Sequence, residues 1–585
     1  MTVQLGLWAP DASAVELEIS DTSERRALRR SADGWWRDDR AHTGRYRFVV
    51  DGLAIPDPRS PSQPEGLDGP SATDDSSFEW TDGGWRGFEL RDAVIYELHV
   101  GTFSADGTYA GVAAHLDDLV QLGVNAIELM PVATFPGQRG WGYDGALLAA
   151  PHHAYGTPDD LRALVDAAHA ADVAVVLDVV YNHLGPTGNH LGMLGPYFTD
   201  RYPTPWGAAV NLDGAGSDEV RRFVIDNAVR WITDFHLDGL RLDAVHALRD
   251  GSAVHLLEQL ADEVHAAAAQ AGRTVWVIAE SDLNDPRLVR EVALGGYGLD
   301  AAWSDEFHHA LHVALTGERS GYYADFAGWP DVARCLELVW VHDGIHAVTR
   351  GRSHGRPVGD LPRSRFLGYS QTHDQVGNRA VGDRLAHLTD RRGAEIAAAL
   401  VLTAPFVPML FQGEEWAASS PFQYFTDHQD PEIADAVRSG RKAEFAGFES
   451  FAGEVPDPQA KETFERSKLR WEERSDAEHA EMLAWYRDLI ALRRDCPDLR
   501  ADGPEDTRAQ FDETNGSLRV QRGHAVVAVN TADVATTVAV GDDVQLALTN
   551  DDGALVADGW LALAPRSVAV LVPPSAVSDP PGAPR

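Results

Sequence analysis

LDGLRLDAVH, residues Leu237 to His246, reads as a short buried strand that ends in charge. Side chains alternate along a strand, so Leu240 and Leu242 share one face while Gly239, Arg241 and Asp243 share the other. Gly239 leaves the backbone bare beside the charged pair. A guanidinium this close to a carboxylate favours its ionised form and lowers its pKa. Such a carboxylate is suited to attack an electrophile or to stabilise a cation. Taken alone, the pair reads equally well as a buried ion pair closing a strand, and the surrounding chain decides between the two.

Outward from this stretch, between about residues 92 and 490, apolar runs alternate with Ala- and Leu-rich segments. The runs are AVIYELHV (93–100), NAIELMPV (125–132), VAVVLDVVYNH (173–183), LDGLRLDAVH itself, VWVIAES (275–281), LDAAWSDEF (299–307), FLGYSQTHD (366–374) and PFVPMLFQGEE (405–415). Between them lie helix candidates such as Thr157–Ala171, with an N-cap threonine followed by Pro158 at the first helical position, and Asp218–Phe235. Apolar strands alternating with helices imply a parallel sheet covered on both faces. Eight such strands predict an α/β chain folded as a (β/α)₈ TIM barrel, with LDGLRLDAVH as its fourth strand. The connections 184–217 and 308–365 are too long for a plain helix, and long loops on a barrel tend to build its site. A helix around Ala480–Arg494 is expected to close the barrel.

Both ends of the chain have strand texture. VQLGLWAP, AVELEIS, GWWRDD and GRYRFVVDG precede residue 54, and SLRVQR, AVVAVN, TTVAVG, QLALTN and SVAVLVPP follow residue 516. Each end predicts a β-sandwich, the first closing at the Pro/Gly/Ser-rich loop 54–71, which is too polar to pack as an element. Trp35 and Trp36 are assigned to the first core. The expected division is an N-terminal sandwich over 1–88, the barrel over 89–497, a C-terminal sandwich over 498–575 and a disordered tail over 576–585.

Bulk properties narrow the chemistry. The 585 residues carry a formal net charge of −40, which disfavours nucleic acid or an anionic membrane as partner, since both require clustered positive charge. Cys335 and Cys496 are the only cysteines, too few and too distant for a disulfide framework or a zinc site. The N-terminus lacks a basic region followed by an apolar core, and no apolar run is long enough to span a bilayer, so a cytoplasmic location is expected.

Polar residues gather where the strands finish: Asp178, Asn182 and His183 after strand three, Asp243 and His246 after strand four, Glu280 and Asp282 after strand five, and His373, Asp374 and Gln375 after strand seven. The C-terminal ends of barrel strands share one mouth, and catalytic residues come from several of them. Carboxylates facing one mouth, with histidines and without a cysteine or phosphate loop, point to acetal chemistry. Glycoside cleavage needs one carboxylic acid to protonate the leaving oxygen and one carboxylate to attack or stabilise the oxocarbenium-like transition state. Asp243 beside Arg241 suits the ionised role. Glu280 follows the apolar run VWVIA, where desolvation raises a carboxyl pKa and suits the acid.

DVVYNH (178–183), GLRLDAVH (239–246), AES (279–281) and THD (372–374) together resemble the signature regions of the α-amylase superfamily of glycoside hydrolases. The resemblance covers the barrel, and the flanking regions resemble those of its glycogen-related members. It implies that Asp243 is the nucleophile, Glu280 the general acid/base and Asp374 a ligand of the distorted sugar. Arg241, His183 and His373 match residues lining the sugar at the cleavage point, and Tyr143 in WGYDG matches the tyrosine stacked beneath it. Asp178 is read as structural, holding Arg241. His246 is read either as a donor to a sugar hydroxyl or as a packing residue.

ELHVGTF (97–103), IAESDLND (278–285), SDEFHHALH (304–312), THDQVGNRA (372–380) and the segment 424–445 resemble the maltooligosyltrehalose trehalohydrolase family within that superfamily. This implies retaining hydrolysis of the α-1,4 bond between a maltooligosyl chain and a terminal trehalose, by double displacement. Its substrates would be maltooligosyltrehalose and α-1,4-glucans, and it would work beside an enzyme that forms maltooligosyltrehalose. The segment with Asp305, His308 and His309, at the end of strand six, is implied on the trehalose side; Gln375 and Asn378 are further candidates. A glycogen branching enzyme, with glutamate rather than Gln375 after the aspartate, is the rival reading, and an inactive glucan-binding protein a third. Many relatives hold calcium near the position of Asn182, but no dense Asp/Asn cluster of the kind a hard-cation cage needs is present, so neither metal nor cofactor is expected.

Overall fold

A computed structural model describes residues 3–74, 76–445 and 455–574. The tail expected over 576–585 lies outside them. The centre is a closed barrel of eight parallel strands in sequential order: β1 Ile95–Leu98, β2 Ala126–Leu129, β3 Ala174–Val179, β4 Gly239–Leu242, β5 Trp276–Ala279, β6 Ala301–Trp303, β7 Phe366–Gly368 and β8 Val407–Phe411. Every one coincides with an apolar run read above. Alternation sorts each strand into two faces. Leu240 and Leu242 join the large core between strands and helices, whereas Val176, Trp276, Ile278, Trp303, Leu367 and Met409 fill the barrel interior.

The helix signals hold to within a residue or two. Helix α1, Pro158–Ala170, starts at Thr157 with a capping box to Asp160. Helix α2 spans Ser217–Asp234. The sequence Ser304-Asp-Glu-Phe, read as the end of strand six, instead opens helix α3, Asp305–Thr316, whose first-turn Asp305 and Glu306 favour a helix N-terminus. The connection 308–365 therefore carries regular structure, including helix α4, Trp329–Leu338. Helix α5, Arg391–Thr403, packs on α6, Ala477–Asp495, which covers the closing side of the barrel.

Antiparallel sheets flank the barrel. At the N-terminal end Val3–Trp8 pairs with Trp35–His42, and Val15–Ile19 pairs with Glu24–Ala27 and Arg45–Val50. At the C-terminal end a five-stranded sheet and a three-stranded sheet enclose a core of Val526, Ala528, Val538, Leu561, Leu563 and Leu571. Thr507–Asp512, Leu555–Ala557 and Trp560–Leu563 are strands the residue pattern did not single out. The loop 54–71 is a correction. It packs, because its polar groups find partners inside: the Tyr46 hydroxyl donates to Asp57 at 2.7 Å, and the Asp57 amide donates to Ser71 Oγ at 2.9 Å.

The connection 184–217 folds as a short helix and a hairpin, Phe198–Thr204 with Gly207–Val210. It leans on the N-terminal sheet. Trp8 meets Tyr197 edge-on with centroids 5.2 Å apart, and the Asp11 amide donates to the Leu194 carbonyl.

Beneath the barrel, Asp238 of the opening stretch is a buried anchor. It accepts from the Val175 amide at 2.8 Å and from Trp85 Nε1 at 2.6 Å, and lies 2.9 Å from His169 Nε2. His169 reaches Asp82 with its other nitrogen, which ties the segment before β1 to the barrel floor. Removing one member of a buried hydrogen-bonded polar cluster strands the others. Asp238→Ala is expected to lower the unfolding free energy by about 3 kcal/mol, read as a lower midpoint in urea titration with the slope unchanged.

Candidate active site

The C-terminal ends of β3, β4, β5 and β6 converge on one guanidinium. Arg241, inside the barrel with no exposed surface, donates through Nη1 to Asp178 Oδ2 at 2.8 Å and to Asp243 Oδ1 at 2.7 Å. Its Nη2 lies 3.7 Å from Glu280 Oε2, and its plane sits 4.3 Å over the Trp303 ring. One cation therefore touches the carboxylates of three consecutive strands.

Environment separates Asp243 from Glu280. Burial alone would raise the Asp243 carboxyl, but the Arg241 charge and a 2.7 Å hydrogen bond from Asn182 Nδ2 outweigh it and hold the group below the usual range. Glu280 is pushed up to about 8, because burial and the charges of Asp243 and Asp374 exceed the pull of Arg241. The backbone links them as well. Ala244, directly after Asp243, takes φ 39°, and its amide donates to Glu280 Oε2 at 2.6 Å. An ionised carboxylate beside a protonated carboxyl in one cleft is the pairing that retaining glycoside cleavage uses.

Below this pair runs a hydrogen-bonded chain. Glu97 of β1 accepts from the His373 amide at 2.9 Å and holds its Nδ1. Burial would lower the His373 pKa, yet the Glu97 and Asp374 charges lift it to about 9. Its Nε2 meets the Tyr143 hydroxyl at 2.7 Å, and that hydroxyl donates to Asp178 Oδ2 at 2.6 Å. Asp178 is pushed up to about 6 by burial, against the pull of Arg241.

The alpha-amylase catalytic-domain family model matches residues 74–191. The malto-oligosyltrehalose trehalohydrolase of Arthrobacter ramosus is 50% identical over 531 residues, 89% of this chain and 92% of that protein. The same-named protein of Mycobacterium tuberculosis is 44% identical over 97% of this chain and 98% of its own length. The chain belongs to the malto-oligosyltrehalose trehalohydrolase family. A solved structure described as a putative alpha amylase from Salmonella typhimurium shares 37% identity and a TM-score of 0.90, covering 97% of both chains.

Within this family frame the remaining expected residues fall into two groups. Some border the mouth. Asp374 is 44% exposed at its side chain and accepts from Asn378 Nδ2 at 3.0 Å. Asp305 accepts from Gln375 Nε2 at 2.9 Å and lies 3.4 Å from His309 Nε2, so these form one cluster beside Asp374. Burial raises the Asp305 carboxyl, with His309 opposing. His183 reaches the Tyr143 carbonyl at 2.9 Å and stacks on Trp206 at 4.6 Å.

Others stand back. His308 is a correction: it is buried in α3, with Nδ1 on the Ser370 carbonyl and Nε2 on the Tyr323 hydroxyl, and has no face left for a sugar. Its ring is fixed on Ser370 and Tyr323, whereas His309, one turn past Asp305, is the histidine that meets that carboxylate. His373 likewise spends both ring nitrogens on protein partners. His246 lies 3.8 Å from Asp282 and lines a separate cavity of about 300 Å³ with Arg249, His255 and Tyr297, away from the Asp243 carboxylate. Asn182 gives its amide to Asp243 and sets its side-chain oxygen against His183.

Several contributors had not been singled out: Glu97, Trp303, the Ala244 amide and Trp206. Glu97 could have been found, because it interrupts an apolar strand at an inward position. Trp206 lines a cavity of about 550 Å³ with Trp141, Tyr143, His183, Phe198 and Tyr424, so the cavity borders the 198–210 hairpin on one side and two residues of the site on the other. If Glu280 acts as the acid, activity falls as pH rises through about 8, where it loses its proton. Glu280→Gln is expected to abolish that alkaline limb of kcat/KM and to lower kcat by about 10²-fold or more.

Proposed function

We propose that this site cleaves the α-1,4 bond joining a maltooligosyl chain to terminal trehalose, with retention of configuration. The single observation that carries the reading is the divided environment of Asp243 and Glu280 around one shared guanidinium. Asp243 Oδ attacks the anomeric carbon, and the bond to the trehalose oxygen breaks. Glu280 delivers its proton to that oxygen, so trehalose leaves neutral and the enzyme holds a covalent glycosyl ester. Glu280, now a carboxylate, takes a proton from water. The resulting hydroxide attacks the same carbon, freeing Asp243 and the shortened chain.

The other groups act on geometry and charge. Arg241 stabilises the Asp243 carboxylate before attack and after release. Asp374, exposed at the mouth, is placed to accept sugar hydroxyls as the ring flattens. The cavity with Trp206, Trp141 and Tyr424 offers apolar faces to the glucan chain, since sugar rings present C–H faces that pack on aromatics. The Asp305–His309–Gln375 cluster is placed for the trehalose side. Pairing with an enzyme that forms maltooligosyltrehalose belongs to this reading, because the substrate requires such a source.

The discriminating experiment offers maltooligosyltrehalose and amylose separately. Free trehalose from the first, with no new α-1,6 branches in the second, supports the reading, whereas branch formation supports a transferase. Asp243→Ala is expected to lose on the order of 10⁴-fold in turnover while keeping its melting transition, and wild-type rates in that variant would sink the assignment. Trp206→Ala is expected to raise KM severalfold while moving kcat less, measured across a series of chain lengths.

A further inference from the structure

Glu128 sits on β2 at the level of Glu97 on β1 and Val176 on β3. It points into the barrel and has no exposed surface. Neither of its carboxyl oxygens has a hydrogen-bond partner among the described residues. The same holds for Arg241 Nε and Nη2, Asp178 Oδ1 and Trp303 Nε1. All six atoms belong to inward-facing residues of one barrel, on β2, β3, β4 and β6. Buried polar groups almost never remain unpaired, and clusters of them hold ordered water.

We propose that Glu128 is a positioning residue of the hydrolytic site, acting as a neutral carboxylic acid that organises buried water beneath Arg241. A neutral carboxyl both donates and accepts. It can give its proton to a water that also serves Asp178 Oδ1, and accept from water bound to Arg241 Nε and Nη2. The guanidinium then keeps one orientation, with Nη1 committed to Asp178 and Asp243 and Nη2 toward Glu280. Without that support, Arg241 is free to rotate out of this orientation, and the Asp243–Glu280 pairing loses definition.

The neutral state follows from what faces the group. Burial and the charges of Glu97 and Asp178 raise the Glu128 pKa well above its ordinary value, and Arg241 and His373 only partly oppose them. An ionised Glu128 would add a third anion beside Glu97 and Asp178, against two cations. As an acid it adds none.

The inference rests on Glu280 being the general acid, and the test keeps the two separable. Glu128→Gln preserves shape and neutrality, while Glu128→Leu preserves bulk and removes both hydrogen-bonding functions. The expected result is a Glu128→Gln enzyme with kcat within about twofold of wild type and an unchanged alkaline limb. Glu128→Leu is expected to lose about tenfold or more in kcat with KM little altered, as outer supports of catalytic groups do. Thermal melts of both variants establish that they fold. If Glu128→Leu does not fold, the Glu128→Gln profile decides alone. An alkaline limb moved to lower pH in Glu128→Gln would mean that an anion had been removed, and would overturn the proposal. Wild-type kcat in Glu128→Leu would overturn it equally. Glu280→Gln, assayed in parallel, reports on the acid assignment itself.

Discussion

Everything around the mouth of this barrel is arranged about the charge on Arg241. A guanidinium with no exposed surface survives burial only where carboxylates surround it. Here Asp178, Asp243 and Glu280 come from the ends of three successive strands, so a single cation fixes the relative placement of β3, β4 and β5. It also divides the labour. The carboxylate it bonds directly, at 2.7 Å, is kept ionised, and the one it approaches only at 3.7 Å stays protonated near neutral pH. Distance alone does not divide them, since Asp178, bonded at 2.8 Å, is raised to about 6 by burial; the Asn182 amide adds to the guanidinium at Asp243, and burial outweighs it at Glu280.

A second, parallel device uses histidine. His373 is held cationic by Glu97 from the first strand, and passes that constraint through Tyr143 to Asp178. Strands β1, β3 and β7, which are not backbone neighbours, are therefore joined inside the barrel by hydrogen bonds and charge. Tyr143 cannot shift without disturbing both His373 and Asp178, which explains why a residue on a loop sits as rigidly as one on a strand.

Much of this was legible from residues. The period-two apolar runs located all eight strands, and the strand-end carboxylates identified the mouth. The arginine–aspartate spacing in LDGLRLDAVH implied a depressed pKa before any geometry was known. What stayed hidden has common physical causes. Glu97 and Glu128 were read as part of apolar strands, because a lone carboxylate interrupting such a run does not say which distant partner it meets inside. His308 belongs to a segment that as a whole resembles one on the trehalose side, and a resemblance of segments does not say which of two adjacent histidines on helix α3 is bonded away inside. The Ala244 amide is invisible in sequence, since any residue brings one and only φ aims it. Trp206 sits in the turn of a local hairpin whose supporting sheet is distant in the chain.

That hairpin ties the glucan side of the cavity to the N-terminal sheet. Tyr197, one residue before the hairpin strand, packs on Trp8, and Leu194 accepts from Asp11. The first sheet thus supports the connection that carries the hairpin, although it neither lines the cavity nor supplies any of the reacting groups. A barrel transplanted without this sheet would keep its carboxylates and lose the footing of its sugar platform. Changes among the first sixty positions therefore reach the cavity only through the seat of the hairpin, and leave the cluster around Arg241 untouched.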